Sequence, residues 1–122
     1  MSYSIGDKAH GGIVFYVDEN GENGKVAALE DQTSGASWEK AKDLCNNFDG
    51  GGFYDWYFPS KAELLLMYTN LRKENLGDFT GVAYWCSTEI DSSYANMLIF
   101  ATGLETGSGK GASLCARAIR SF

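Results

Sequence analysis

The chain has 122 residues, of which 44% are hydrophobic and 21% charged, a composition typical of one folded domain and unlike that of a disordered segment. Ten Lys and Arg against sixteen Asp and Glu give a net charge of −6, which disfavours nucleic acid and anionic membranes as partners. No apolar run approaches the ~20 residues that span a bilayer, and the stretch from Met1 to Lys8 is too polar for a signal peptide. We therefore expect a single domain, 1–122, without membrane insertion.

The N-terminal part predicts a β-hairpin. Two β-type runs, Ile13–Val17 and Lys25–Leu29, flank a segment with Asn-Gly pairs at Asn20 and Asn23. Asn-Gly readily adopts the positive φ angles that tight hairpin turns require. Asp18 begins an alternation of acidic and amide side chains, but the glycine offset and the missing twelfth-position Glu disfavour a calcium loop. We predict no metal site.

The first predicted helix follows a serine cap, either Ser34 or Ser37. Trp38, Ala41 and Cys45 recur at three- and four-residue intervals with charged residues between them, which is the pattern of an amphipathic helix.

The second predicted helix has a clearer start. Ser60 and Glu63 form a capping box directly after Pro59, and the helix should run to about Arg72. The glycines at 50–52, which precede this region, lack the lysine and the following helix of a phosphate-binding loop.

The last third of the sequence predicts β structure. Three strands are expected at Val82–Glu89, Ala95–Thr102 and Leu114–Phe122, and Gly103–Gly111 is expected to be a flexible loop. Strands at both ends and two helices between them predict an α+β domain whose terminal strands pair.

The residues give little support for catalysis or for metal binding. Cys45, Cys86 and Cys115 form no CxxC pair, which disfavours zinc; a Cys86–Cys115 bridge is compatible with the sequence, but free thiols are favoured. His10 is the only histidine and no nucleophile motif surrounds any serine, so we predict a non-catalytic protein. A carboxylate pair in a cleft remains the enzymatic alternative, because sixteen acids allow many combinations.

A binding surface is better supported. In the predicted strand 95–102, Leu98 and Phe100 alternate with Met97 and Ile99, so both strand faces are apolar. Either both faces are buried, or the second is exposed to a partner. The flanking loops combine Tyr94 with small polar residues, a composition common in binding loops.

Three ordered motifs resemble the Lcl_C family, typified by the C-terminal domain of a bacterial collagen-like adhesin. They are DWYFPSKAEL at 55–64, YWCSTE at 84–89 and ARAIRSF at 116–122. N-terminal segments at 11–18 and 31–45 extend the resemblance over nearly the whole chain. This chain has Phe58, Cys86 and Ala116 where the family pattern has Leu, Ser and Val.

The resemblance implies a C-type-lectin-like domain, distantly similar to formylglycine-generating-enzyme folds, that binds ligands outside the cell on adhesins or phage tails. Some relatives are variable proteins of diversity-generating retroelements, and the diversified segment would correspond to Cys86–Cys115. Calcium-dependent sugar binding is disfavoured, because the chain lacks the Glu-Pro-Asn, Gln-Pro-Asp and Trp-Asn-Asp motifs.

We therefore predict a non-catalytic recognition domain, without a cofactor, on a cell surface or phage particle. Its partner would be a cell-surface protein or glycan; a calcium-independent glycan-binding adhesin is the alternative, and a homo-oligomer is compatible with the sequence. The predicted ligand-binding residues lie in the C-terminal strands and loops: Tyr84, Trp85, Glu89, Asp91, Tyr94, Met97, Ile99 and Glu105.

Four apolar residues are expected to anchor the core: Trp38, Trp56, Leu64 and Phe122. Arg117 and Arg120 are three apart on a predicted strand and should point to opposite faces. One of them is expected to form a buried or interfacial ion pair, for instance with an acid of the second helix.

Overall fold

Two β-sheets and two α-helices make up the part of the chain that the computed structural model describes, residues 2–79 and 82–122. The elements follow one another as β1 (Lys8–Ala9), β2 (Gly12–Val17), β3 (Gly24–Ala28), β4 (Thr33–Ala36), α1 (Trp38–Asn46), α2 (Lys61–Asn70), β5 (Ala83–Glu89), β6 (Tyr94–Ile99), β7 (Leu104–Gly109), β8 (Leu114–Ala116) and β9 (Ile119–Ser121). Single 3₁₀ turns occupy Gly50–Gly52 and Arg72–Glu74. The predicted α+β class is confirmed. Neither helix has the length and apolar character needed to cross a bilayer.

The strands form a four-stranded sheet in the order β1-β2-β3-β9 and a five-stranded sheet in the order β4-β8-β5-β6-β7. Every pairing is antiparallel except the short contact between β5 and β8. The chain end pairs with β3, where Val26 lies opposite Arg120. The expected pairing of the first and last strands was therefore wrong: β2 and β9 share a sheet but flank β3.

The predicted strand Leu114–Phe122 is two short strands in different sheets, β8 and β9. Arg117 and Ala118 connect them, and both are fully buried. The chain thus crosses from one sheet to the other inside the molecule, which a run of strand-forming residues does not reveal.

Both helices begin at the predicted caps. The Ser37 hydroxyl accepts a hydrogen bond from the Lys40 amide at the start of α1, whereas Ser34 lies in β4. At α2 the capping box is complete: the Glu63 amide donates to the Ser60 hydroxyl (3.3 Å), and the Ser60 amide donates to the Glu63 carboxylate (2.9 Å). These bonds satisfy amides that have no partner within a helix, and a cap of this kind is worth about 1 kcal/mol.

The predicted N-terminal hairpin is β2 and β3, with Val14 opposite Val26. Gly24 is required at its turn-side end, because a Cβ there would lie 2.0 Å from the Tyr16 carbonyl oxygen. Ile13 and Phe15 pack towards α2 and Val14 packs towards α1. The strand is buried on both faces, and this explains its unbroken apolar run.

The core has two parts, one beside each helix. The α2 cluster packs Leu64, Met67 and Leu71 against Tyr84, Cys86, Leu98, Phe100, Cys115, Ile13, Phe15, Ala27, Phe79 and Ile119. The α1 cluster packs Trp38, Ala41 and Cys45 against Val14, Val26, Ala28, Trp56, Phe58, Trp85, Ala95, Ala116 and Ala118. Trp38, Trp56 and Leu64 are core residues as predicted; Phe122 is only half-buried.

The predicted flexible loop Gly103–Gly111 is the main correction to the fold. Residues 104–109 form β7, which pairs with β6 at every position. A tight turn joins the two strands, with the Gly103 amide donating to the Ile99 carbonyl at 2.7 Å. The glycine-rich sequence has low β propensity, and pairing with an ordered neighbour overrides it.

Candidate functional site

The C-terminal strands bring four side chains together on one side of the five-stranded sheet. Met97 lies directly opposite Thr106, and Ile99 lies opposite Leu104. Residues opposite one another in an antiparallel pair point to the same side, so these four form one surface, which we call the outer face.

The outer face is apolar and only partly covered. Leu104 is 58% exposed and Thr106 is exposed, while Met97 and Ile99 are half-buried. Met97 also packs against the α1 cluster, so it marks the border between the covered and the open parts of this side. The sequence did not predict that Leu104 faces Ile99 or that Thr106 faces Met97, because β7 was expected to be a loop. The signal was a leucine in an otherwise polar segment.

Trp85 shares this side of the sheet, because it pairs with Met97, but it is not a contact residue. It is fully buried in the α1 cluster, and its indole N–H donates to the Ala36 carbonyl at 2.9 Å. The prediction that Trp85 binds ligand was therefore wrong. The α1 cluster covers the sheet at this point, and the open surface begins beyond Met97.

Tyr84 is also buried and cannot reach a ligand on the surface, contrary to the prediction. It points to the opposite side of the sheet, in the α2 cluster, and is 0% exposed. Its hydroxyl donates to Asp31, with both carboxylate oxygens at 2.8 Å. Tyr84 holds Asp31 in position instead of facing a partner.

Three predicted residues lie at the turn between β5 and β6. The Asp91 carboxylate accepts hydrogen bonds from the Ser93 and Tyr94 amides at 2.8 and 2.9 Å, so it fixes the turn. Glu89 is exposed and paired with Lys110 at 2.9 Å. The Tyr94 side chain is 51% exposed and remains available for contact.

Glu105 lies on the other side of the sheet from the outer face. It is opposite Leu98, whose side chain enters the α2 cluster. Its exposed carboxylate pairs with Lys61 of α2 at 3.4 Å. The predicted residues are therefore not one surface: Met97 and Ile99 are joined on the outer face, and Glu105 and the turn residues lie apart from them.

Two buried arginines stabilise the C-terminal segment in which the chain crosses from one sheet to the other, between β8 and β9. Arg117 is 1% exposed; its guanidinium contacts the Asp31 carboxylate at 2.8 Å and lies 4.1 Å from the centre of the Phe79 ring. It also donates to the Ala28 and Gly77 carbonyls at 2.8 and 2.7 Å. A buried charge needs an ion-pair partner and hydrogen bonds of this kind, because an unpaired buried charge would be strongly destabilising.

Arg120 makes the second pair. Its guanidinium donates to Asp55 at 2.7 and 3.2 Å and to the His10 carbonyl at 2.9 Å, above the Phe53 ring. Hydrogen bonding to Arg120 lowers the pKa of the exposed Asp55 carboxyl. The predicted buried ion pair is confirmed for Arg117 with Asp31. The second helix, given as an example, does not supply the acid: Asp31 and Asp55 both lie in connecting segments.

Glu63, an acid of α2, pairs with neither arginine and contacts the first sheet instead. Glu63 accepts hydrogen bonds from Lys25 and from the Tyr57 hydroxyl (2.6 Å) in addition to its capping role. Burial alone would raise the pKa of Glu63, but the hydrogen bonds from Lys25, the Ser60 amide and Tyr57 outweigh it, so the pKa is lowered. This carboxylate ties the first sheet to α2.

A cleft lies beside α1, away from the outer face. Its volume is about 490 Å³, and it is lined by Glu30, Asp31, Gln32, Lys40, Asp43, Leu44, Asn47, Phe48 and Asp49. Asp31 is already engaged by Arg117 and Tyr84. Outside the cleft, the pKa values of the Asp18, Asp55 and Glu63 carboxyls are all lowered. A general acid needs the opposite shift.

The three cysteines, all among the described residues, are buried thiols that no disulfide joins. Burial raises the pKa of the Cys45 thiol to about 12, so it stays protonated near neutral pH. Within residues 2–79 and 82–122, no group of three or more His, Cys, Asp or Glu side chains is arranged to hold a metal ion.

Comparison with protein-family models gives no match to this chain, and comparison with curated proteins gives none either. The resemblance to the Lcl_C family stays a prediction that depends on the three motifs.

Proposed function

We propose that this protein is a non-catalytic recognition domain and that the outer face, Met97, Ile99, Leu104 and Thr106, contacts the partner. The observation that supports this most directly is the exposure of Leu104, 58%, beside the half-buried Ile99 on a regularly paired hairpin. An apolar surface on an ordered sheet costs little conformational entropy on binding, because its backbone is already fixed.

The surrounding structure suits this role. Trp85 lies on β5, the strand next to β6, and is fully buried; Arg117, directly after β8, is 1% exposed. The exposed side chains of the outer face, Leu104 and Thr106, can therefore vary while the scaffold stays fixed. The C-type-lectin-like fold and the extracellular setting, on a cell surface or phage particle, are part of this proposal because the Lcl_C resemblance implies them.

The partner that we propose is a cell-surface protein or a glycan. Apolar side chains favour a protein pocket, whereas Tyr94, 51% exposed at the nearby turn, offers a ring that can stack on a sugar. The net charge of −6 disfavours sulfated polysaccharides and other polyanions.

The test is binding of the purified chain to arrays of immobilised glycans and of cell-surface proteins. The double variant Ile99→Thr/Leu104→Thr removes apolar contacts while keeping residues that suit a strand. The matched control is Tyr54→Ser, which removes an 83% exposed aromatic residue outside the C-terminal strands.

We expect the parent chain and the Tyr54→Ser variant to bind the same array members and the double variant to lose that binding. Binding by all three proteins alike, or no binding by the parent on either array, would contradict the proposal. The type of array that responds distinguishes a protein partner from a glycan.

A further inference from the structure

The two sheets of the described chain end in four edge strands, and β7 differs from the other three. β1 has two residues, and β4 has four with an irregular register. β9 has three, and Tyr57 bridges its outer side at Ile119. β7 has six residues, is paired regularly along one side and is largely exposed. Short, bulged or covered edges prevent pairing with other chains, and proline or charged side chains do the same. β7 is neither short, bulged nor proline-containing, and its one charged residue, Glu105, is paired with Lys61 of α2.

The backbone groups on the free side of β7 can be identified. Tyr94, opposite Gly109, uses its amide and carbonyl within the β5–β6 turn, so these two residues are not a hydrogen-bonded pair. The next two residues that face each other, Ser93 and Lys110, are hydrogen-bonded, because the Lys110 amide donates to the Ser93 carbonyl at 2.9 Å. Since the pattern alternates, the backbone groups of Glu105 and Gly107 point away from β6.

The free groups favour one register for pairing with an identical strand. The Gly109 carbonyl already accepts from the Ala112 amide at 3.0 Å, so a register that needs it is disfavoured. If Thr106 lies opposite its own copy, Glu105 and Gly107 exchange hydrogen bonds with Gly107 and Glu105 of the second chain. All the groups that this register uses are then free ones.

The side chains are compatible with the same register. A two-fold axis perpendicular to the sheet keeps the outer faces of both copies on one side. Leu104 then lies opposite Ser108 of the second copy, and Glu105 lies opposite Gly107. No like charges face each other, although each chain has a net charge of −6.

We propose that the free edge of β7 pairs antiparallel with β7 of a second copy of this chain, about a two-fold axis at Thr106. The dimer has one continuous sheet of ten strands, five from each chain, and presents two outer faces on the same side. This inference does not depend on the proposed function: the backbone of the strand edge forms the dimer, and both outer faces stay on the same side of the shared sheet.

The test is the oligomeric state of the full chain, measured by sedimentation over a concentration range up to about 1 mM, the weak end of measurable affinities. The solution contains about 0.15 M salt, which screens the net charge beyond about 8 Å. Thr106→Lys and Thr106→Glu each place like charges opposite one another at the axis. We expect the parent to dimerise and each variant alone to bind itself at least about tenfold more weakly.

An equimolar mixture of the two variants is expected to restore the dimer, because lysine then faces glutamate. The matched control is Ser34→Lys on β4, the opposite edge of the same sheet, which should dimerise like the parent. A parent that stays monomeric at every concentration would overturn the proposal. So would a dimer that Thr106→Lys leaves unchanged, or one that Ser34→Lys dissociates instead.

Discussion

Trp85 and Leu104 lie on the same side of the five-stranded sheet, two strands apart, yet Trp85 is fully buried and Leu104 is 58% exposed. The difference comes from what lies above each strand. The α1 cluster covers β5, and this cover ends near Met97 on β6. One side of one sheet is thus divided into a part that stabilises the fold and a part that is open for contact.

The largest effect on stability is expected from Trp85→Ala, which tests whether Trp85 belongs to the covered, stabilising part of the sheet. Truncating a fully buried aromatic residue leaves a cavity and an unpaired Ala36 carbonyl, so we expect a loss of about 3–5 kcal/mol in the free energy of unfolding. Equilibrium denaturation with urea measures this loss. A loss below about 1 kcal/mol, the size expected at an exposed site, would mean that Trp85 is not a core residue.

Arg117→Ala tests whether the buried ion pair at the crossing between the two sheets stabilises the fold. The substitution leaves Asp31 and the three carbonyls that Arg117 bonds without their cation, and breaking a buried pair costs about 3 kcal/mol or more. The control is Lys61→Ala, which breaks the exposed Lys61–Glu105 pair and should cost less than about 1 kcal/mol. Equal losses in thermal or urea unfolding would contradict the assignment of Arg117 to the core.

Glu63→Gln tests the half-buried carboxylate between the first sheet and α2. Glutamine keeps the capping box but not the charge, so at pH 7 we expect a loss of about 1 kcal/mol. Because the folded pKa of Glu63 lies below its ordinary value of 4.5, its charged form stabilises the fold fully above that pH. The stabilisation is lost as the pH falls through the folded pKa.

The stability difference between the parent and the Glu63→Gln variant should therefore shrink as the pH falls below 4.5. Urea unfolding of both proteins from pH 7 downwards measures it. A difference that grows towards low pH would show that the pKa of Glu63 is raised by burial instead.

Much of the local structure could be predicted from the sequence, because its causes are local. The β2–β3 turn, the Ser37 cap and the Ser60 capping box each act within a few residues, and the structure has them where the sequence predicts them. Of the two Asn-Gly pairs, only the first has a positive φ, at Gly21, because Gly24 already belongs to β3. The α+β class follows from the order of these elements.

The long-range relations could not be predicted in the same way. An alternating apolar strand looks the same whether α1 covers it or not, so Trp85 and Met97 were given the same role. The partners of Arg117 and Arg120, Asp31 and Asp55, are 86 and 65 residues away in sequence. β7 was missed because pairing with β6, and not the propensity of its own residues, makes it a strand.

The central claim is that the outer face is open for contact and contributes little to stability. The most direct test is the free energy of unfolding of the Ile99→Thr/Leu104→Thr variant, measured by urea denaturation beside the parent. We expect the variant to stay within about 1 kcal/mol of the parent, because the outer face contributes little to the fold. A loss of about 3 kcal/mol or more, the size typical of buried aliphatic residues, would mean that these side chains belong to the core and are not free for contact.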